Sequence, residues 1–224
     1  MQRVVIEQSV ETAVRPSARV CETAAMFGLG VDGTRRLAIV KRCEVPLPRG
    51  GVVFVTGPSG GGKTTILKLI GEQCRRVSLH VIDFATLPAP ADAPLVDCFS
   101  RPGLELRDVL SLLALVGLGD AFVMLRTPGQ LSDGQRHRLR LAQAIDRAEQ
   151  ESTAGGASIM FADEFCATLD RQTAKNIAAG VGRWVRKTAH TFVCATTHDE
   201  LLESLEPEVL IYKGLGEEME VVAR

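Results

Sequence analysis

The run Gly57-Pro58-Ser59-Gly60-Gly61-Gly62-Lys63-Thr64 constrains this chain more than any other part of it. Ahead of it, Val52-Val53-Phe54-Val55-Thr56 is apolar without alternation and reads as a parallel strand buried on both faces. Behind it, Thr64-Thr65-Ile66-Leu67-Lys68-Leu69-Ile70 has helical character. Strand, glycine loop and helix in that order require an α/β unit with the loop at the carboxyl end of the strand. The glycines let successive backbone N–H groups turn inward around anionic oxygens, and the helix N-terminus adds favourable potential. In that setting Lys63 is placed to reach β- and γ-phosphates and the Thr64 hydroxyl to ligate Mg²⁺. A chance glycine-rich turn would need neither flanking element.

The rest of the chain repeats the alternation. Val4–Ile6 and Leu37–Val40 read as short strands, and Val77–Phe84 as the strand after the first helix. The proline- and alanine-rich stretch Leu87–Pro94 is a loop. Leu106–Gly117 and Asp120–Leu125 read as short helices, and Asp133–Glu149 as a long polar helix with Leu139, Leu141, Ala142 and Ile145 facing inward. Ser152–Gly156 breaks the chain before an apolar strand, Ser158–Ala162. Then come a helix over Asp170–Lys187, a buried strand over Thr191–Thr196 and a short helix over Asp199–Leu205. Val209–Ile211 and Met219–Val222 read as edge strands.

Composition narrows the class further. With 46% hydrophobic residues the chain can bury a core without metal or disulfide staples. A net charge of −1 removes the simplest electrostatic case for a dedicated nucleic-acid binder. The six cysteines form no CxxC pair and suit reduced thiols. No apolar stretch reaches membrane-span length and no leader pattern opens the chain, so the expectation is a soluble cytoplasmic protein without membrane insertion.

Two further strings carry chemistry. The strand Ser158–Ala162 ends in Asp163-Glu164. A parallel strand delivers such side chains beside the glycine loop, where Asp163 is suited to hold Mg²⁺ and Glu164 to polarise an attacking water. Leu131-Ser132-Asp133-Gly134-Gln135 opens the long polar helix and alone would be a good N-cap. His198 follows the strand ending at Thr196, so it emerges at the same sheet edge as Asp163. His80, His137 and His190 belong to no partner pattern, and no His/Cys cluster has zinc spacing.

Taken together, these strings resemble the ATP-binding cassette (ABC) ATPases. Leu131–Gln135 looks like the family signature, with Asp133 where glycine is usual, and Arg136-His137-Arg138-Leu139-Arg140-Leu141-Ala142 continues it. Ala167-Thr168-Leu169-Asp170 resembles the D-loop, and Thr197-His198-Asp199 the switch-histidine segment. The resemblance implies a P-loop NTPase fold: a mainly parallel sheet flanked by helices, a small antiparallel β part and a compact helical subdomain. It implies one domain over 1–224, with the helical part at about 98–145 inserted into a core of 1–97 and 146–224. ATP and Mg²⁺ are the implied ligands. Gly57, Pro58, Ser59, Gly60, Gly61, Gly62, Lys63, Thr64 and Thr65 would hold the nucleotide, Thr64 and Asp163 the metal, and Glu164 and His198 would serve catalysis. Ser132, Gly134, Gln135 and Asp170 would meet the nucleotide bound to the partner copy of an ATP-dependent homodimer.

The family pattern is incomplete. Where a Q-loop glutamine is expected the chain reads Pro94-Leu95-Val96-Asp97-Cys98-Phe99, so Asp97 is assigned to that position as a further metal ligand. The span from Lys63 to Ser132 is short for a transporter cassette, and Phe165 replaces the proline usual after the glutamate. Phe27 is the candidate aromatic for adenine stacking. The arginines 126, 136, 138, 140 and 147 read as a solvated helix face rather than a nucleic-acid contact. The expected function is ATP hydrolysis by a stand-alone soluble cassette acting on a protein or nucleic-acid partner. The alternative is the ATP-binding subunit of a membrane transporter.

Overall fold

A computed structural model describes residues 2–31, 35–99, 101–153 and 156–224. Its centre is a six-stranded sheet in the order β4-β5-β6-β3-β7-β8. The strands are β3 (Gly51–Thr56), β4 (His80–Asp83), β5 (Ser158–Ala162), β6 (Thr191–Ala195), β7 (Val209–Lys213) and β8 (Met219–Ala223). All neighbours run parallel except β7 and β8. A separate antiparallel pair, β1 (Gln2–Thr12) and β2 (Arg35–Leu47), precedes it.

Period-two alternation divides the core. Val52, Phe54, Met160, Ala162, Phe192 and Cys194 face one side of the sheet. There they pack with α3 (Leu106–Leu115), α5 (Asp133–Thr153) and α6 (Arg171–Arg186). Val53, Val55, Ile159, Phe161, Val193 and Ala195 face the other side. They meet Ile66 and Ile70 of α2 (Lys63–Arg76), and Ile6, Val40 and Val45 of the β1–β2 pair. Both faces of β3 are thereby sealed, and every residue of that strand is buried. Val109 and Leu113 of α3 join the same core cluster as the sheet, so the helical insert shares its apolar interior with the rest. The short helices α4 (Ala121–Met124) and α7 (Leu202–Leu205) complete the chain, with 3-10 turns at 84–86, 95–97, 128–130 and 199–201.

Three expectations need correction. β7 is not an edge strand: it lies between β3 and β8, and of the two only β8 ends the sheet. β1 and β2 run well beyond the short segments expected, because they pair with each other over most of their length. The helix α1 (Ala18–Met26), capped by the Ser17 hydroxyl accepting from the Val20 amide, lies in a stretch whose mixed polarity gives no helical signal. The expected break at 152–156 begins later than expected, since α5 runs through Thr153; 154 and 155 lie outside the described residues.

His190, which belongs to no sequence pattern, is fully buried and pins the start of β5. Its Nδ1 accepts the Ser158 backbone N–H at 3.0 Å, so the ring proton sits on Nε2, 2.8 Å from the Ser152 hydroxyl oxygen. Trp184 stacks on the imidazole with centroids 5.5 Å apart and donates its indole N–H to Glu149 at 2.7 Å. Burial lowers the His190 pKa; Glu149 opposes this and His80 reinforces it. Because the folded value lies below the unfolded one, the unfolded chain binds the extra proton, and stability falls as pH drops below the ordinary imidazole range. Urea midpoints measured from about pH 7.5 down to about pH 5 should therefore decline. His190→Asn, which keeps an acceptor for Ser158 but cannot titrate, should flatten that decline.

Candidate nucleotide-binding site

The glycine loop leaves β3 at its carboxyl end and enters α2. Gly57 has φ +135°, and a Cβ there would lie 2.0 Å from the Lys213 carbonyl oxygen. The end of β7 thus packs directly against the loop backbone, a closeness only glycine permits. Lys63 curls back over the loop, its ammonium donating to the carbonyls of Gly57 at 2.8 Å and Pro58 at 2.9 Å. Pro58, Ser59, Gly60 and Thr64 are exposed, whereas Gly61 is buried and Gly62 and Thr65 are half-buried. The result is an anion cradle closed by a lysine at a helix N-terminus.

At the end of β5, Glu164 adopts φ +50° and its N–H donates to Asp163 Oδ1 at 3.0 Å. The next residue anchors this turn. The Phe165 N–H donates to the Ala195 carbonyl at 2.8 Å. Its buried ring meets Phe192 edge-on, with centroids 5.2 Å apart. Phe165 therefore does by packing what a proline would do by restricting φ, and Glu164 stays exposed beside the strand end.

Thr64, Asp83 and Asp163 line a cavity of about 130 Å³ between α2 and the ends of β4 and β5. Asp97 does not: it is exposed on the 95–97 turn. Besides Asp163, the acids that line this cavity are Glu72 and Asp83, with Lys68 and Arg75 beside them; Asp83 lies 4.0 Å from Arg75 and caps the 84–86 turn through the Ala85 N–H. The Thr64 hydroxyl and these carboxylates are hard oxygen donors of the kind Mg²⁺ takes. Among the described residues no group of three or more His, Cys, Asp or Glu forms a protein-only metal cage.

His198 stands at the carboxyl end of β6. Its N–H donates to the Thr196 hydroxyl at 3.2 Å, and the Thr196 N–H donates to the Val55 carbonyl at 3.1 Å. Its Nδ1 lies 3.5 Å from Glu200, which is 3.2 Å from Arg171. Asp199 accepts from the Thr56 hydroxyl, tying this segment to the residue before the loop. His137 of α5 is a neighbour that no sequence pattern singles out: burial lowers its pKa, and the Glu164 carboxylate opposes that shift.

The segment Ser132–Gln135 forms a reciprocal cap on α5. The Ser132 hydroxyl accepts the Gln135 N–H at 3.3 Å, while Gln135 Oε1 accepts the Ser132 N–H at 3.0 Å. Gly134 sits where a Cβ would lie 3.6 Å from Leu169 Cδ2, next to the D-loop. Asp170 caps α6 through the Thr173 N–H at 2.9 Å, and its hydrogen bonds to Thr173 hold its carboxyl below the usual range. Among the described residues no hydrogen bond or ion pair joins Ser132, Gly134 or Gln135 to the loop of the same chain.

The neighbouring arginines are not a free basic face. Arg136 donates to the Leu131 carbonyl at 2.5 Å and to Asp133. Arg138 donates to the carbonyls of Gly134 at 3.2 Å and Gly117 at 2.6 Å. Arg140 reaches the carbonyls of Phe84 at 3.2 Å and Leu87 at 3.4 Å, and Arg147 pairs with Glu151 at 3.6 Å. Phe27 lies at the C-cap of α1, 74% exposed, in a shallow groove with Val14, Val20 and Leu29. The hairpin residue that reaches the loop is Ile39, whose Cγ2 would be 3.6 Å from a Cβ at Gly62.

A parallel sheet carrying this loop, with acidic residues ending the adjacent strands, defines a P-loop NTPase domain. No family model matches the chain. Among curated proteins it is 30% identical to the sulfate/thiosulfate import ATP-binding protein CysA of Thermosynechococcus vestitus, covering 80% of this chain and 59% of that one. It is 27% identical to the lipoprotein-releasing system ATP-binding protein LolD 1 of Chlorobium chlorochromatii, covering 74% of this chain and 76% of the relative. It is also 27% identical to the macrolide export ATP-binding/permease protein MacB 1 of Aeromonas hydrophila, covering 82% of this chain and 32% of the relative. The chain thus spans about three fifths of the first of these and a third of the last. A dimeric ATP-binding cassette solved in a post-hydrolysis state with ADP and Pi superposes with a TM-score of 0.59 at 17% identity, over 97% of this chain and 98% of that one. That likeness concerns the fold. The chain belongs to the ATP-binding cassette family, as a nucleotide-binding domain.

Gly57→Ala should cost on the order of 3 kcal/mol or more in urea unfolding, through a forbidden φ and collision with the Lys213 carbonyl. Gly60→Ala, at φ +76° with open space around it, should cost about 1 kcal/mol. Equal costs would mean that the β7 carbonyl does not shape the loop.

Proposed function

We propose that this chain binds Mg-ATP and hydrolyses it between two copies of itself. The observation that carries the reading is convergence: the loop with Lys63, the Asp163-Glu164 pair and His198 leave the carboxyl ends of β3, β5 and β6, which are adjacent in the sheet. Lys63, now turned onto the loop carbonyls, exchanges those acceptors for β- and γ-phosphate oxygens. Thr64 and Asp163 would hold Mg²⁺, which would supply positive charge against the phosphates; Asp83, which lines the same cavity, replaces the exposed Asp97 as a further candidate donor. Glu164 accepts the proton of the water that attacks the γ-phosphorus, and His198 orients that water and the γ-phosphate. Among the described residues Ser132, Gly134 and Gln135 have no hydrogen bond or ion pair to their own loop. They present a helix N-terminus to the γ-phosphate held by the partner copy, with Asp170 beside them.

As to setting, the names of the relatives favour the transporter reading over the stand-alone one. CysA is named for sulfate/thiosulfate import and LolD for lipoprotein release. The stand-alone reading rests on the missing glutamine and the short helical insert. No helix among the described residues is long and apolar enough to cross a membrane, so in the transporter reading separate subunits supply the passage. The chain would then work on the cytoplasmic face. Cell fractionation should find it with membranes; a wholly soluble pool would return the stand-alone reading to first place.

Lys63→Ala should lose tight binding of a fluorescent ATP analogue while remaining folded. Glu164→Gln should bind normally but release phosphate at least about a hundredfold more slowly, since an amide cannot take the proton. Near-normal turnover in Glu164→Gln would move the base to another residue.

A further inference from the structure

Lys213 closes β7 and is fully buried. Its ammonium donates to two backbone carbonyls, Gly214 at 2.9 Å and Gly216 at 2.6 Å. Among the described residues no carboxylate oxygen comes within 4.0 Å of it. Carbonyls solvate a cation but do not neutralise it, and a buried charge without a counter-charge is costly. Burial accordingly lowers the Lys213 pKa, with the more distant Glu218 carboxylate opposing the shift. The stem of this side chain runs beneath the glycine loop: its Cε would lie 3.8 Å from a Cβ at Gly62. Its own carbonyl oxygen would lie 2.0 Å from a Cβ at Gly57 and 2.9 Å from one at Gly61. The stem and carbonyl of Lys213 therefore lie against the protein side of the loop glycines, and its ammonium, one bond beyond Cε, is held there by the turn carbonyls.

We propose that Lys213 is a second cation of the phosphate site, acting through the loop from below, and that the polyphosphate chain of the nucleotide adds to the counter-charge that Glu218 supplies only from a distance. Lys63 makes contact from above; Lys213 never touches the ligand but adds a fixed positive potential through a thin, dry glycine layer. This favours ligands with more phosphate charge, so triphosphate gains more than diphosphate. The proposal rests on the nucleotide site described above. The competing view is that Lys213 only staples the β7–β8 turn, and the two differ in one observable. A staple needs donors, whereas an electrostatic partner needs charge.

Lys213→Gln keeps hydrogen-bond donors and loses the charge; Lys213→Met keeps the length; Lys213→Arg keeps the charge. Equilibrium binding of fluorescent ATP and ADP analogues, from about 50 to about 200 mM salt, reads all three. Both neutral variants should bind ATP roughly threefold to tenfold more weakly than wild type, the size expected of one screened charge acting across the loop. They should lose more for ATP than for ADP, and show a shallower fall of affinity with salt. Lys213→Arg should stay near wild type. Neutral variants with wild-type affinity and salt dependence would overturn the proposal. So would loss of folding in both neutral variants while the arginine variant folds, which would assign the ammonium to the turn. A wild-type protein that binds neither analogue would instead overturn the nucleotide site itself.

Discussion

The packing of Gly57 against the Lys213 carbonyl is the contact on which the rest of the site depends. It fixes where the loop leaves β3, and β3 cannot shift because both its faces are sealed by helices and hairpin. A loop held this way enters α2 from a fixed point, and the Gly61 N–H bond to the Pro58 carbonyl at 3.1 Å tightens its turn. The neighbouring strands share the constraint. β5 and β6 pair with each other, and β6 with β3. Asp163 and His198 are thus set at the same sheet edge by the strand pairing, with the Thr196 and Thr56 hydroxyls and the Phe165 ring fixing the turns beyond it.

How much of this can be read from the chain alone follows from how local each signal is. The glycine loop, the Asp163-Glu164 strand end and the cap at Ser132–Gln135 are contiguous strings whose meaning depends on the adjacent element alone, and the structure has those elements where expected. Val209-Leu210-Ile211 reads as an edge because it is short, and nothing in a short apolar run tells whether a further strand covers it. Asp97 stands out only by its position in a family pattern. The parallel register of β4 against β5, with Asp83 opposite Phe161, is what brings Asp83 to the cavity. Phe27 is suggested by chain distance, yet the hairpin brings Ile39 to the loop. Lys213 is invisible for a general reason: a lysine after a strand reads as solvated unless its burial is known.

The arginines after the signature show the same lesson from the other side. A cluster of positive charge on one helix suggests an exposed face, but Arg136, Arg138 and Arg140 each spend their donors on backbone carbonyls. They tie the start of α5 to the 84–87 segment and to Gly117 in the helical insert. Arg138 in particular joins the Gly117 carbonyl of the helical insert to the Gly134 carbonyl at the start of α5.

In the proposed function, a nucleotide shared between Lys63 of one copy and Ser132 of the other would tie hydrolysis to dimerisation. Sedimentation of the Glu164→Gln protein with and without Mg-ATP tests this most directly, because blocked hydrolysis prevents release and two shared ligands stabilise the dimer by mass action. The expected result is a monomer without nucleotide, a dimer with it, and a return to monomer when Ser132→Arg is added. A monomer under saturating ATP, or a dimer indifferent to Ser132→Arg, would contradict the shared site.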